Sequence, residues 1–297
     1  MFNFKTYTAV TLIGLLAACG GGSGGGGAPR TVFNYQTLES VVPGSSTIVA
    51  VGLTQSDTGL PDGTDLVSGT LDRVSRKLSI DGVVVDGVFQ TASGSWTDGT
   101  TTVSPSNLAI FANTATYDFF VPVTVALPVE QGGFESQYIF GVVSRTQDLP
   151  TSPDTTAFTY NGVARVEGIL GRDRTAPGTN IGSDGRLSLT ADFARGLVDV
   201  VIDRLNATGM PFDTVRIDNL VLSIGNNATF ERNGTGFITF EGSTPSLGAS
   251  TTESASGAFF GGAVNEIVAP SEAGGVFTVN GENGNVIYGI FAGDRVR

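Results

Sequence analysis

The chain contains no histidine and one cysteine, Cys19. Those two facts remove most of the side-chain chemistry an enzyme draws on. Without histidine there is no Ser-His-Asp or Cys-His nucleophile, no imidazole ligand for zinc and no histidine axial ligand for haem. Carboxylates, tyrosines and hydroxyls remain. Asp57, Asp62 and Asp65 lie in SDTGLPDGTD, whose spacing departs from the alternating ligands of a calcium loop, so they read as turn residues. Asp173 and Asp184, in GRDRTAPGTNIGSDG, read the same way. Glu241 and Glu253 are the last candidates for a glycosidase-like carboxyl pair, but sequence does not set their separation. The glycine pairs at 261–262 and 274–275 lack the strand–loop–helix setting of a phosphate cradle and read as strand coiling. No catalytic residue, metal site or cofactor is expected, and the chain is not read as an enzyme.

Cys19 has a different use. It follows Lys5 and the apolar run 10–18 (VTLIGLLAA), which is about half the roughly 20 residues needed to cross a bilayer. Leu16-Ala17-Ala18-Cys19 resembles a bacterial lipoprotein cleavage box, so residues 1–18 are expected to be removed and Cys19 to carry lipid, palmitate included. Gly20 rather than Asp follows, a pattern similar to sorting towards the outer membrane. Residues 19–30 then form a lipidated glycine-rich tether (GGGSGGGGAP at 20–29), with a mean reach on the order of 15–20 Å.

The net charge of −12 excludes nucleic acid as a partner, since that binding rests on neutralising phosphates. Contact with a membrane is expected through the lipid on Cys19 alone. With no second cysteine, stability must come from packing and strand pairing. At 297 residues with 42 glycines, 40% hydrophobic and only 15% charged, the composition indicates an all-β protein with many turns.

From Ala157 onward the pattern gives eight strands. In 186–193, Leu187, Leu189, Ala191 and Phe193 alternate with Arg186, Ser188, Thr190 and Asp192; in 196–204, Val198, Val200 and Ile202 oppose Asp199 and Asp203. The apolar parity of 214–224 slips by one residue at Asp218-Asn219, predicting a bulge. Residues 228–232 and 236–240 read as one interrupted strand. Three closing strands follow, rich in internal glycine: 257–263, 274–279 and 286–292. Eight antiparallel strands enclose space for side chains or one small ligand, and 19 phenylalanines favour filling. Polar residues on the outer parity argue against a lipid-facing barrel. Tyr117, Tyr138, Tyr160 and Tyr288 lie in strands and are assigned to the core before any binding surface.

Residues 31–150 give shorter segments: 47–53, a hairpin from 66–74 through Ser75-Arg76-Lys77 into 78–80, and the longer runs 115–127 and 134–145. Pro122 demotes the run containing it to an edge or bulged strand. The expectation is a small open sheet with a weaker core, acting as a handle-like domain. Residues 146–162, with Pro150 and Pro153, break the pattern, so a barrel domain is placed at 155–297.

The order Gly257-x-Phe259-Phe260-Gly261, then Ala263, Glu266-Ile267, Gly274-Gly275-x-Phe277 and Gly289-x-Phe291-x-x-Arg295, resembles the closing strands of the transferrin-binding protein B type β-barrel of bacterial surface lipoproteins. LSLTADFARGLVDVVI at 187–202 resembles the second and third strands of that barrel. The chain departs from the family at Gly262, Val264 and Asp294, and VAPSEA separates Ile267 from the glycine pair. The resemblance implies an outer-membrane-anchored lipoprotein on the cell surface, and a closed barrel, which has no exposed strand edges, suits a monomer. It would bind a protein or small ligand, or an outer-membrane receptor, in the acquisition of iron, haem or another nutrient. The alternative is a structural or accessory envelope lipoprotein with no small-molecule ligand. The long polar loops Arg172 to Gly185 and Gly242 to Ser256 are the expected ligand face.

Overall fold

In this computed structural model the described residues are Tyr35, Leu38 and 44–296, apart from 57–58, 73, 76, 81–84, 91–94, 98–101, 106–107, 109–116, 127–134, 151–156, 174, 224, 235 and 263–268. Cys19, the tether and Asp57 lie outside them. All the extended structure is antiparallel. The first eight strands are β1 (Ser45–Gln55), β2 (Pro61–Asp72), β3 (Lys77–Ile80), β4 (Val85–Gln90), β5 (Ser95–Thr97), β6 (Thr102–Pro105), β7 (Phe120–Ala126) and β8 (Glu135–Val142). They pair in sequence order, and β1 then pairs with β8 from Ile48↔Val142 to Gly52↔Tyr138. The expected open sheet is therefore a closed barrel. The closing pair joins runs some ninety positions apart, and neither run carries a mark of the other.

Pro122 also differs from expectation. Its strand is internal, paired to β8 along its length, but the ladder to β6 begins only at Pro105↔Val123. The residue without an N–H lies one place outside that ladder, so no bond to β6 is lost.

The remaining strands are β9 (Ala157–Arg172), β10 (Pro177–Asp192), β11 (Leu197–Asp203), β12 (Phe212–Leu222), β13 (Thr229–Glu231), β14 (Phe237–Gly242), β15 (Thr252–Phe260), β16 (Glu272–Asn280) and β17 (Val286–Arg295). Their pairings run full circle, β9-β10-β11-β12-β13-β15-β16-β17 and back to β9, with β14 extending β13 along β12. This is the expected eight-stranded barrel with one interrupted strand. The bulge is present too. Val198 faces Leu220 but Val200 faces Ile217, so Asp218 and Asn219 oppose Asp199 alone. Asn219 adopts φ 58° and donates its N–H to Asp199 Oδ1 at 2.8 Å.

Large apolar side chains occupy the interior of the second barrel. Phe259 lies at its centre, with ring centroids 5.5 Å from Tyr160, 5.0 Å from Phe193 and 5.1 Å from Phe230. Phe212, Phe277 and Phe291 fill the rest with Leu187, Leu189, Val198, Val200 and Ile202. Each such buried side chain contributes about 1.5–3 kcal/mol by leaving water. The first barrel has its own smaller core, which includes Ile48, Ala50, Leu78, Val123, Val125 and Phe140.

A third apolar cluster joins the two. Val49, Val51 and Leu53 of β1, with Phe120, Ile139 and Val143, pack on Ala258, Phe260, Val276, Ile290 and Ala292 of β15–β17. Those strands are buried on both faces. Glycine makes the close approach possible: a Cβ on Gly141 would sit 2.3 Å from Phe260 Cδ1 and 2.5 Å from Phe120 Cβ. Phe120 and Phe260 meet there with centroids 5.0 Å apart.

Gly141→Ala should therefore destabilise the protein by about 1–3 kcal/mol, overpacking outweighing the smaller chain-entropy gain. Gly225→Ala, where a Cβ meets only Ser223 Oγ at 3.4 Å, should change urea unfolding by under about 0.5 kcal/mol.

Candidate functional site

Beyond Val142 the chain leaves β1 and crosses to the second barrel. Gly261 donates its N–H to Val142 O, Ser144 donates to Phe259 O and Thr146 to Asn226 O, while Ala228 donates back to Ser144 O. Ser144 Oγ also donates to Gly261 O at 2.5 Å. As the strand crosses over, it opens a cleft of about 800 Å³ between the start of β1 and residues 225–227. Ser45, Thr47, Gln147 and Asn226 present hydroxyls and amides along it, and Tyr35 and Arg145 stand at its wall.

The wall is held by a charged cluster. Arg145 Nε and Nη2 donate to Asp148 Oδ2 and Oδ1 at 2.7 and 3.0 Å, a two-point pairing. Tyr35 donates its hydroxyl to Asp148 Oδ2 at 2.5 Å and accepts the Arg145 backbone N–H at 2.8 Å. Burial, followed by the bond to Asp148, pushes the Tyr35 hydroxyl up to about 12. It stays protonated and cannot act as a base at neutral pH. The carboxylate beside Arg145 holds that guanidinium in its charged form, above its ordinary value. Tyr35 and Arg145 therefore offer this cleft hydrogen bonds from a neutral hydroxyl and a charged guanidinium.

The candidate residues from the sequence divide clearly. Asp173 is a turn former: its Oδ1 accepts from Thr175 N, Thr175 Oγ1 and Ala176 N. Asp184 is not. It lies within β10 and pairs with Arg165 at 3.0 Å. Asp62 is not a turn residue either: it lies in β2 and accepts from Thr54 Oγ1. Asp65 lies in β2, inside a strand rather than a turn, and partial burial raises its carboxyl above the usual range. Glu241 pairs with Arg216, whereas Glu253 pairs with Arg232 and accepts from Ile238 N. Each of these two glutamates is thus committed to its own arginine.

The tyrosines are structural. Tyr160 donates to Pro270 O, Tyr117 to Ala292 O and Tyr288 to Glu167. Burial raises all three hydroxyls, and that of Tyr138, well above the ordinary value. Among the described residues no three histidine, cysteine or acidic side chains gather as a metal site, and no helix is long and apolar enough to cross a membrane.

The two expected loops need correction in part. Arg172 to Gly185 is mostly strand: Arg172 ends β9, β10 begins at Pro177, and only four positions separate them. Alternation in PGTNIGSDG is masked by its glycines, which hid the hairpin arm. Gly242 to Ser256 is a loop over residues 243–251, pinned by buried Leu247, whose carbonyl accepts from Glu282 N. Sequence reasoning missed the Tyr35–Arg145–Asp148 cluster. The Arg145-x-x-Asp148 spacing was visible, but Tyr35 joins it from 113 residues away from Asp148.

No family model matches the sequence, and no curated protein matches it. Solved structures do. Transferrin binding protein B of Haemophilus parasuis Hp5 aligns with 84% of this chain and 45% of its own, at 15% identity and a TM-score of 0.46. The isotype 1 protein of serogroup B Neisseria meningitidis aligns over 84% and 44%, at 16% identity and a TM-score of 0.42. This chain thus spans less than half the length of either. The haemoglobin receptor HpuA of Kingella denitrificans, in its apo form, aligns over 91% of both chains at 14% identity and a TM-score of 0.39. These likenesses concern the fold.

Tyr35→Phe removes the donor to Asp148 and the acceptor for the Arg145 N–H. It should cost roughly 1–2 kcal/mol in urea unfolding, with a matching loss of protection at the Arg145 amide in hydrogen exchange.

Proposed function

We propose that the protein is a lipid-anchored lipoprotein of the bacterial outer membrane, displayed on the cell surface, which binds a protein ligand and serves nutrient acquisition. In this reading residues 31–150 form a handle-like domain and 155–297 the barrel domain, tethered through Cys19 by the glycine-rich segment. The observation that carries it is the filled interior of the second barrel, with Phe259 ringed by Tyr160, Phe193 and Phe230. An interior occupied by these rings favours recognition on the outside, where residues 243–251 and the junction cleft present irregular surface.

The chemistry of the described residues agrees. Tyrosines held neutral by burial are poor ligands for ferric iron or haem, and the chain supplies no histidine. Iron would therefore reach this protein inside a carrier rather than as a free ion. Hydroxyls, amides and an arginine already paired with a carboxylate favour a polar protein surface over a lipid or a nucleic acid.

Intact cells expressing the full chain test this reading. The protein should be cut by added protease and labelled by a membrane-impermeant reagent, and the cells should retain one of a set of iron-carrying proteins offered to them. Transferrin and haemoglobin come first, because the names of the structural neighbours give them as ligands. Protection from protease in intact cells, with capture of neither protein at micromolar concentration, would favour an accessory envelope protein instead.

A further inference from the structure

Among the residues whose side-chain burial is described, Glu272 is the one acidic or basic group that is buried, at 4% exposure. It opens β16, opposite Asp294 of β17. Its carboxylate crosses to the first barrel, where Oε1 accepts the N–H of Asp118 at 2.7 Å and Oε2 that of Phe119 at 3.0 Å. These two residues lead into β7. Tyr117 anchors the same segment by donating its hydroxyl to Ala292 O at 3.0 Å and stacking on Phe120 with centroids 4.0 Å apart. A Cβ on Gly261 would lie 2.4 Å from the Phe119 ring, so that ring too is seated on the second barrel.

We infer that Glu272 is a proton-operated latch between the two barrels, holding residues 117–120 more tightly as the pH falls. The reasoning is electrostatic. Two carboxylates face Glu272, Asp294 from β17 and Asp118 from the latched segment itself. The Tyr117 hydroxyl is neutral, and Arg295, next to Asp294, directs Nη1 to Ala269 O and Pro270 O. An ionised Glu272 is thus buried near like charges, repaid in part by two backbone N–H donors. Protonated, it loses the burial cost and the repulsion, and its remaining acceptor sites still serve the segment.

Burial chiefly, with Asp294 and Asp118 adding, pushes the carboxyl up to about 8. In the released state Glu272 returns to water and titrates near 4.5. The neutral form therefore favours the latched state. That preference is complete below about 4.5, is lost as pH rises towards 8, and changes no further above it. Over that window the released population should grow about tenfold per pH unit. The inference is independent of any ligand and stands or falls apart from the proposed function.

The amides of Asp118 and Phe119 report it directly. In the full chain, their hydrogen-exchange protection, normalised for intrinsic rate, should fall about tenfold per unit between pH 5 and pH 8. Glu272→Gln keeps the shape and one carbonyl acceptor, so it should remove that slope. A flat profile in the wild type, or the same slope in the variant, would overturn the inference. A carboxyl-carbon NMR titration of the wild type needs no variant. A Glu272 midpoint near 8 that drops in Asp294→Asn supports the latch, and a midpoint near 4.5 overturns it.

Discussion

Five strands of this protein serve two cores at once. β1, β8, β15, β16 and β17 each present one face to the interior of their own barrel and the other to the opposite barrel. A half-exposed strand can discharge polar residues to solvent on alternate positions, but a strand covered on both sides cannot. The sequences of these strands follow from that constraint: TIVAVGL in β1, GAFF in β15, GGVFTV in β16 and VIYGIFA in β17 are nearly continuous in apolar residues. Small residues are the second consequence. Two sheets that carry aromatic rings on their facing sides approach closely only where the backbone opposite a ring lacks a Cβ. Gly141 meets the Phe260 ring across the interface in this way, and Gly257 meets the Phe230 ring inside the barrel.

Polar contacts cross this arrangement at a few points, such as Thr64 with Ser254 and Ser256, and the ion pairs lie outside it. On the second barrel four arginines pair with carboxylates: Arg165 with Glu167 and Asp184, Arg186 with Asp203, Arg216 with Glu241, and Arg232 with Glu253. Exposed pairs of this kind contribute little to stability, at most about 1 kcal/mol each. Their effect is to offset the charge of those four guanidinium groups. The crossing segment 143–148 is where backbone and side chains depart from regular pairing, and it is there that the cleft and the Tyr35–Arg145–Asp148 cluster form.

The sequence disclosed what local pattern encodes. Strict alternation in β10 and β11 placed Leu187, Leu189, Val198 and Val200 inside. The parity slip at Asp218-Asn219 marked the bulge, and the turn after β16 carries Asn283 and Gly284 at φ 57° and 77°. What escaped was long-range. Closure of the first barrel depends on Ile48–Gly52 meeting Tyr138–Val142, and periodicity within either run is the same whether or not they meet. The hairpin arm of β9 and β10 was taken for a loop because glycines at 178, 182 and 185 interrupt the alternation that identifies a strand. The buried carboxyl of Glu272 gave no local sign either. A glutamate before two glycines reads as a turn residue until the segment 117–119 is seen to cover it.

The central physical claim is that the shared apolar interface makes the two barrels one cooperative structure. Differential scanning calorimetry of the full chain tests it most directly. A single transition, with equal calorimetric and van't Hoff enthalpies, is the result this account predicts. Two resolved transitions, with the first barrel melting while the phenylalanine-filled second persists, would contradict it.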